Sequence, residues 1–493
     1  MQDKGALCVM ATRRGEIRQA DCRRVIARPF IPGEKRALNI IGRVLKLSED
    51  EVTTLINQVL EEFSYRHRRF EDILAQNFCH VAQYVPKGVE LSENRKLLIG
   101  AYFTSEYSIQ SAGVLNPSIA LHPDQGGLRE GEVRCIMTFR CVGEGHISSL
   151  EFRSCIIDDA YQIKTRPISP FVEPPEVLPQ QTYDKSLFES KLKNRGAFSK
   201  SLALMLKGLP SEFTAAELEE RMIKAEGKRT LPKRAQADMQ EILAWMNKNI
   251  YRVKFRPDTR ISGRVLFPVV ENESRGIEDA RLVRFTDDDG SVTYYATYTG
   301  YNGFVVVCKL LETKDFLSFK STTLTGKASH NKGVALFPRR INGKYVMLSR
   351  LDNESNYIAY SDDLYHWDKA ELIRGPQSPW EFVQIGNGGP PIETKAGWLV
   401  LTHGVGPMRK YCIGIDLLDL NEPSKLVGRL REPILCPNEY EREGYVPNVV
   451  YTCGAVIHHH ELIVTYAMSD WETGIATVPV EEVLVKSLLW QPE

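Results

Sequence analysis

Apolar positions change their rhythm twice along this chain. In the first hundred residues they recur every three or four positions. The stretch "LSEDEVTTLINQVLEEF" opens with Ser48 and, three residues on, Glu51, the pair that makes a capping box. Val52, Leu55, Ile56, Val59, Leu60 and Phe63 then fall on one helical face. The next segment, "SYRHRRFEDILAQNF", reads as a continuation of helix, with His67 and its flanking arginines on a solvated face. Near Leu98 the texture shortens, and "KLLIGAYFT" and "VRCIMTFRCVG" read as strands bounded by turns. A proline-rich link, "RPISPFVEPPEVLPQ", reads as an extended connector. Helical spacing then returns in "AFSKSLALMLKGL", "TAAELEERMIKAEG" and "RAQADMQEILAWMNKNI". From about residue 253 onward strand follows turn with almost no helical rhythm.

The strand-rich part repeats. "VRCIMTFRC", "VTYYATYTGY", "GKYVMLSRLD", "AGWLVLTHGV" and "ELIVTYAMSD" each leave a turn, run through apolar or aromatic residues and end on a polar group. Those ends are Arg140, Tyr298, Arg350, His403 and Asp470. Steps of 52, 53 and 67 residues separate the last four, and the long first step contains the second helical block. A period near 50 in an all-β region points to a β-propeller, and five repeats to five blades, with a sandwich of ordinary hairpins as the alternative. The expected organisation is a helical N-terminal region (1–97), a first blade with its connector (98–183), a helical insertion (184–252) and the remaining blades (253–493). The fold class is mainly β, a five-bladed propeller with a helical N-terminal region and a helical insertion. If the aligned strands line the central channel, their polar ends converge on one site.

Composition narrows the partners. Lys+Arg and Asp+Glu number 63 each, which argues against a general nucleic-acid or anionic-membrane binder. No apolar run is long enough for a membrane span, and the first residues lack the apolar core of a signal peptide. The 10 cysteines are scattered without a C-x-x-C pair and read as reduced thiols of a cytoplasmic protein. His458, His459 and His460 in "IHHHELIV" look metal-like but fall in a hairpin turn, and no metal is expected.

At the expected convergence point, "ENESRGIEDARLVR" sets the acid pair Glu278–Asp279 and Arg281 at the mouth of a buried strand. A carboxyl among cations is held ionised. Basic side chains gathered around one point favour an anion, phosphate being the obvious small one, and no glycine-rich phosphate loop suggests a nucleotide. Tyr298, Tyr301, Trp380, Tyr411 and Trp471 at strand ends or loops suit the apolar faces of sugar rings, although core or rim packing is the commoner role for each of them; Trp367 and Trp398 read as core.

The ordered set "VLNPSIA", "MTFRC", "GIEDARLV", "YTGYNG", "HNKGVALFPRRINGKYVMLSR", "DDLYHW", "GPPIETKAGWLVLTHGV", "YCIGIDLLDLNEPSK", "YVPNVVYTCGA" and "TYAMSDWETGIA" resembles glycoside hydrolase family 130, the inverting β-mannoside phosphorylases and related β-mannosidases. The family fold is a five-bladed propeller. The resemblance implies Asp279 as general acid, protonating the glycosidic oxygen through a sugar hydroxyl. It implies Lys332, Arg350 and His403 as phosphate ligands. It places Asn116, Arg140, Arg281, Tyr301, Gln384, Tyr411 and Asp470 around the sugar, with Gln384 standing where some relatives carry lysine. Inorganic phosphate is then a co-substrate and no cofactor is expected. The implied reaction is phosphorolysis of a β-mannoside, β-1,2-linked manno-oligosaccharides foremost, with inversion to α-mannose 1-phosphate. A hydrolase on the same fold would need a carboxylate base, for which Glu354 and Glu381 are the candidates. A carbohydrate-binding propeller without catalysis is the remaining alternative. The extra helices are expected to shape outer sugar subsites or a contact between copies of a homo-oligomer.

Overall fold

The computed structural model describes residues 9–15, 19–226 and 233–489. It is mainly β, with helices grouped in two places and one at the C-terminal end. The first group is α1 (Glu34–Val44), α2 (Glu49–Phe63), α3 (Phe70–Cys79) and α4 (Glu93–Tyr102). The capping box at α2 forms as expected: the Glu51 backbone donates to Ser48 Oγ, and Ser48 N donates to Glu51 Oε2 at 2.8 Å. Val52, Ile56, Leu74, Leu98 and Ile99 bury the shared face of this group.

The structure departs from three local expectations. The helix does not run on through residues 64–69; it breaks, with Arg69 at φ 54°. His67 in that break is not solvated but only 3% exposed, its Nε2 2.7 Å from Glu106 Oε1. The segment read as a strand, "KLLIGAYFT", lies mostly in α4, which crosses the expected boundary at residue 97. Ser92 caps that helix by accepting from Arg95 N, and Gly100 lets it approach the Leu74 carbonyl so closely that a Cβ would sit 2.0 Å from it. A short apolar run fits a buried helix as well as a strand, and packing decides between them.

The second group, α5 (Lys185–Asn194), α6 (Lys200–Lys207), α7 (Ala215–Glu226) and α8 (Lys233–Asn249), has a core of its own around Phe188, Leu206, Phe213 and Met239. Lys191 ties it to the strands by donating to Thr325 Oγ1 at 2.8 Å. The last helix, α9 (Val480–Leu488), departs from the expectation of strands alone after residue 253.

Two short pairs stand apart, Val25–Pro29 with Thr104–Ser108 and Tyr183–Asp184 with Glu212–Phe213, and most of the other strands form five successive antiparallel meanders. The first runs through Gly113–Leu121, Val133–Val142 and Ser148–Ile157, with Ile163–Thr165 outside. The second runs through Gly276–Thr286, Val292–Tyr301, Val306–Thr313 and Ser318–Thr323. Ile250–Lys254 and Glu176–Leu178 extend its outer edge. The third contains Ala335–Leu336, Tyr345–Ser349, Asn356–Ser361 and Ala370–Arg374. The fourth contains Gln384–Asn387, Gly397–Val405, Tyr411–Leu418 and Leu426–Arg429. The fifth contains Val450–His458, Glu461–Met468 and Glu472–Pro479, and Thr12–Arg13 supplies its fourth strand. Trp367 and Trp398 are interior, as their positions suggest.

The five segments aligned in the sequence are the second strand of each meander, not the first. It is the first strands that meet one another. Leu282 N donates to Ser118 Oγ at 3.0 Å, Arg281 Nε to the Gly388 carbonyl at 3.0 Å, and Gly454 packs against Ser118. In three of these first strands the register shifts at the same level, between Leu115 and Ser118, Glu278 and Arg281, and Tyr451 and Gly454. Each shift is a bulge, which re-aims a side chain out of the alternating pattern.

Candidate active site

Two of those bulges bring the site together. Asn116 and Asp279 sit in them with φ 48° and 55°, a left-handed conformation that is uncommon for residues other than glycine. Their side chains meet: Asn116 Nδ2 donates to Asp279 Oδ1 at 2.6 Å. Arg140, from the second strand of the first meander, donates to the same oxygen at 3.1 Å and to Glu278 Oε1 at 2.8 Å, with its Nε on Ser148 Oγ. Glu278 Oε2 accepts from Lys332 Nζ at 2.8 Å, and Lys332 lies 5.8 Å from the centre of the Tyr301 ring.

The acids are tuned in opposite directions. Burial pushes the Asp279 carboxyl up, but the charges of Arg140 and Arg281 and the Asn116 hydrogen bond hold it below the usual carboxylate range. Asp470, at φ 52°, is pushed up to about 6, first by burial and then by the charges of Asp279 and Glu278, against the pull of Arg140. Arg281 does not orient the Asp279 carboxylate directly. It holds the backbone instead, donating to the Asp279 carbonyl at 2.9 Å and to Tyr451 Oη at 2.7 Å.

Arg281 leads into the cationic side of the site. A Cβ on Gly333 would touch both Arg350 and Arg281, and one on Gly386 would lie 2.4 Å from His403 Cε1 and 3.0 Å from Arg350 Cδ. Tyr451 closes the group, its ring 4.9 Å from that of His403, and Tyr411 stacks on His403 at 6.0 Å. Asp279, Arg281, Arg350, His403, Tyr411 and Tyr451 therefore form one cluster.

The charges differ from a cradle of three cations. Lys332 is paired with Glu278. Burial, then Arg350 and Arg281, push the His403 pKa well below its ordinary value, so the ring is neutral at neutral pH. Arg350 is the charge left over: it is 8% exposed, it donates to the Asn353 carbonyl at 2.8 Å, and its buried Nε has no hydrogen-bond partner among the described residues. Burial lowers its pKa, and Arg281 lowers it further. A buried guanidinium with an open donor fits an anionic ligand.

A cavity of about 360 Å³ opens beside the acids, lined by Arg140, Glu278, Tyr301 and Asp470, with Arg275, His146 and Tyr445 at its mouth. His146 and Tyr445 stack there at 5.1 Å. Gln384 starts the first strand of the fourth meander, opposite Val405 and half-buried. Tyr298 is not part of the site: it is 2% exposed, and its hydroxyl bonds Glu273 and Ser321 within the second meander. Trp380 donates to the Arg431 carbonyl at 2.9 Å and packs on Gly404 and Gly414. Tyr451 was missed because "YTCGA" looks like plain strand; only its bulge turns the ring inward.

The candidate bases of a hydrolase fare poorly. Glu381 is fully buried between Arg374 and Arg429 and caps its own turn. Glu354 lies exposed on a turn after Asp352.

A family model described as beta-1,4-mannooligosaccharide phosphorylase matches residues 257–487. The 1,2-beta-oligomannan phosphorylase of Thermoanaerobacter sp. (strain X514) is 37% identical over 230 residues, which are 45% of this chain and 75% of that protein. The chain belongs to glycoside hydrolase family 130. A beta-1,2-mannobiose phosphorylase of the same Thermoanaerobacter strain is 37% identical over 238 residues, 45% of this chain and 74% of that protein. The beta-1,2-mannobiose phosphorylase of Listeria innocua serovar 6a is 34% identical over 228 residues, 44% of this chain and 62% of that protein. The region matched by the family model begins after α8, so the helical N-terminal region, the first meander and the helical insertion lie outside it.

Proposed function

We propose that this chain is a β-mannoside phosphorylase that cleaves β-1,2-linked manno-oligosaccharides with inorganic phosphate and releases α-mannose 1-phosphate. The observation that carries this is Arg350, a buried cation with an open donor, set beside neutral His403 and close to an ionised Asp279. The β-1,2 linkage rests on the names of the relatives.

The reaction is a single displacement. Phosphate, held by Arg350 and His403 with Lys332 at the edge, attacks the anomeric carbon. The C–O bond to the leaving sugar breaks as the new C–O bond to phosphate forms, with inversion. Phosphate is already an anionic nucleophile, so no carboxylate base is needed. The departing oxygen takes its proton from a sugar hydroxyl, which Asp279 replenishes. Arg140 and Arg281 hold Asp279 as an acceptor. An incoming dianion offsets those charges and raises its pKa toward that of a donor. Asn116, Arg140, Tyr301, Gln384, Tyr411 and Asp470 would surround the sugar, and Arg281 and Tyr451 would fix the frame between the two halves.

The five meanders, whose first strands meet, support a five-bladed propeller with α1–α4 and α5–α8 as helical additions. Among the described residues no helix is long and apolar enough to cross a membrane. The free thiols, six of them buried, fit a reducing compartment, and we assign the chain to the cytoplasm.

Incubation with β-1,2-mannobiose, with and without phosphate, tests the reading. Phosphate-dependent mannose 1-phosphate supports it. Mannose released without phosphate would show a hydrolase, and no turnover would leave a binding protein.

A further inference from the structure

We propose that Asp159, His458 and His459 form a binding site for a divalent transition-metal ion, zinc foremost, that fastens the first meander to the fifth on the face away from the catalytic cavity. The three side chains each offer one donor atom, and these atoms lie within 4.8 Å of one another. They come from the turn after Ser148–Ile157 and from the hairpin between Val450–His458 and Glu461–Met468. Both strands start at the catalytic end, where Ser148 bonds Arg140 and Tyr451 bonds Arg281. His458 lies seven positions along the strand from Tyr451, so the cluster is roughly 20 Å from the acids.

The local backbone explains why neighbouring histidines point the same way. In a strand, consecutive side chains face opposite sides. His459 has φ 50°, and this turn swings its ring to within 4.1 Å of the His458 ring. Gly131, at φ 79°, makes room: a Cβ there would overlap the Asp159 carboxylate at 1.9 Å. His459 Nε2 lies 3.1 Å from Asp159 Oδ1. That matches the separation of about 3.3 Å between two ligands of a tetrahedral zinc ion with bonds near 2.0–2.1 Å.

The independent sign is His458. It is 7% exposed, and its buried Nε2 has no hydrogen-bond partner of good geometry among the described residues, its ring making only weaker backbone hydrogen bonds to Gly131 and Asp158. Asp159 and His459 are open to solvent and give the ion a way in. His460, next in the same hairpin, lies outside the cluster.

Titration of the chelator-stripped full chain with zinc chloride, followed by calorimetry and thermal unfolding, decides the matter. One zinc ion per chain is expected, with an unfolding temperature that rises with zinc concentration. His458→Ala and the exposed, fold-neutral Asp159→Asn each weaken binding at least tenfold and abolish the thermal shift, whereas His460→Ala leaves both unchanged. Absence of stoichiometric binding, or binding that Asp159→Asn and His459→Gln leave intact, overturns the proposal.

Discussion

Asp279 and Asp470 carry the same side chain beside the same arginine, yet their protons are held very differently. Asp279 has an amide and a guanidinium on its oxygen; Asp470 is buried with two other carboxylates nearby. Asp279→Asn keeps the Asn116 and Arg140 neighbourhood but cannot carry the proton. Its phosphorolysis rate is expected to fall by at least ~10²-fold while the fold persists, as circular dichroism and steady-state rates will show. Asp470 has a raised pKa, so its stabilising contribution is complete below 3.8 and is lost as pH climbs through about 6. Asp470→Asn does not titrate. Relative to the native chain its stability should gain up to roughly 3 kcal/mol between pH 4 and pH 7, read from urea unfolding at the two pH values. At this scale the sequence named side chains that do come together: Asp279, Arg140, Arg350 and His403. It could not give their charges. Lys332 is taken up by Glu278, and His403 loses its proton to burial, and both effects depend on neighbours distant in the chain.

Glycines and bulges set the geometry of the strands that carry these groups. Gly386 has an extended backbone, and its role is space, since a methyl group there would strike His403 and Arg350 together. Gly386→Ala should strain the cationic side by about 1–3 kcal/mol, raising the KM for phosphate roughly 5- to 150-fold with a smaller effect on the mannoside. Initial rates at varied phosphate check this. Helical periodicity was readable where a cap and a long stripe coincided, as at Ser48 and Val52–Phe63. It failed at α4, whose short apolar run carries no period of its own, and at residues 64–69, where the break rests on one left-handed arginine. The bulges at Asn116 and Asp279 were not legible, because an extra residue in a strand changes direction without changing composition.

For the molecule as a whole, the repeat of roughly 50 residues was visible because every second strand ends in the same manner. The order of strands within each meander was not, since the first strands are short or interrupted and lack that signature. The fifth meander is completed by Thr12–Arg13, and Arg13 fixes this junction through Glu441 at 2.8 and 2.6 Å and the Cys436 carbonyl at 2.7 Å. The Glu441 side chain is only 2% exposed. Arg13→Ala would strand that carboxylate, although Tyr466 still donates to it, and is expected to cost about 3 kcal/mol in denaturant unfolding.

That junction joins residues at opposite ends of the chain, and this has a kinetic consequence. Until Thr12–Arg13 arrives, the outer edge of Glu472–Pro479 is a row of open amides and carbonyls, able to zip onto any passing strand. Closure also joins Thr12 to Thr477, residues far apart in sequence, so it comes late in folding. Refolding from urea should therefore lose yield to aggregation as protein concentration rises, and dilution should restore it.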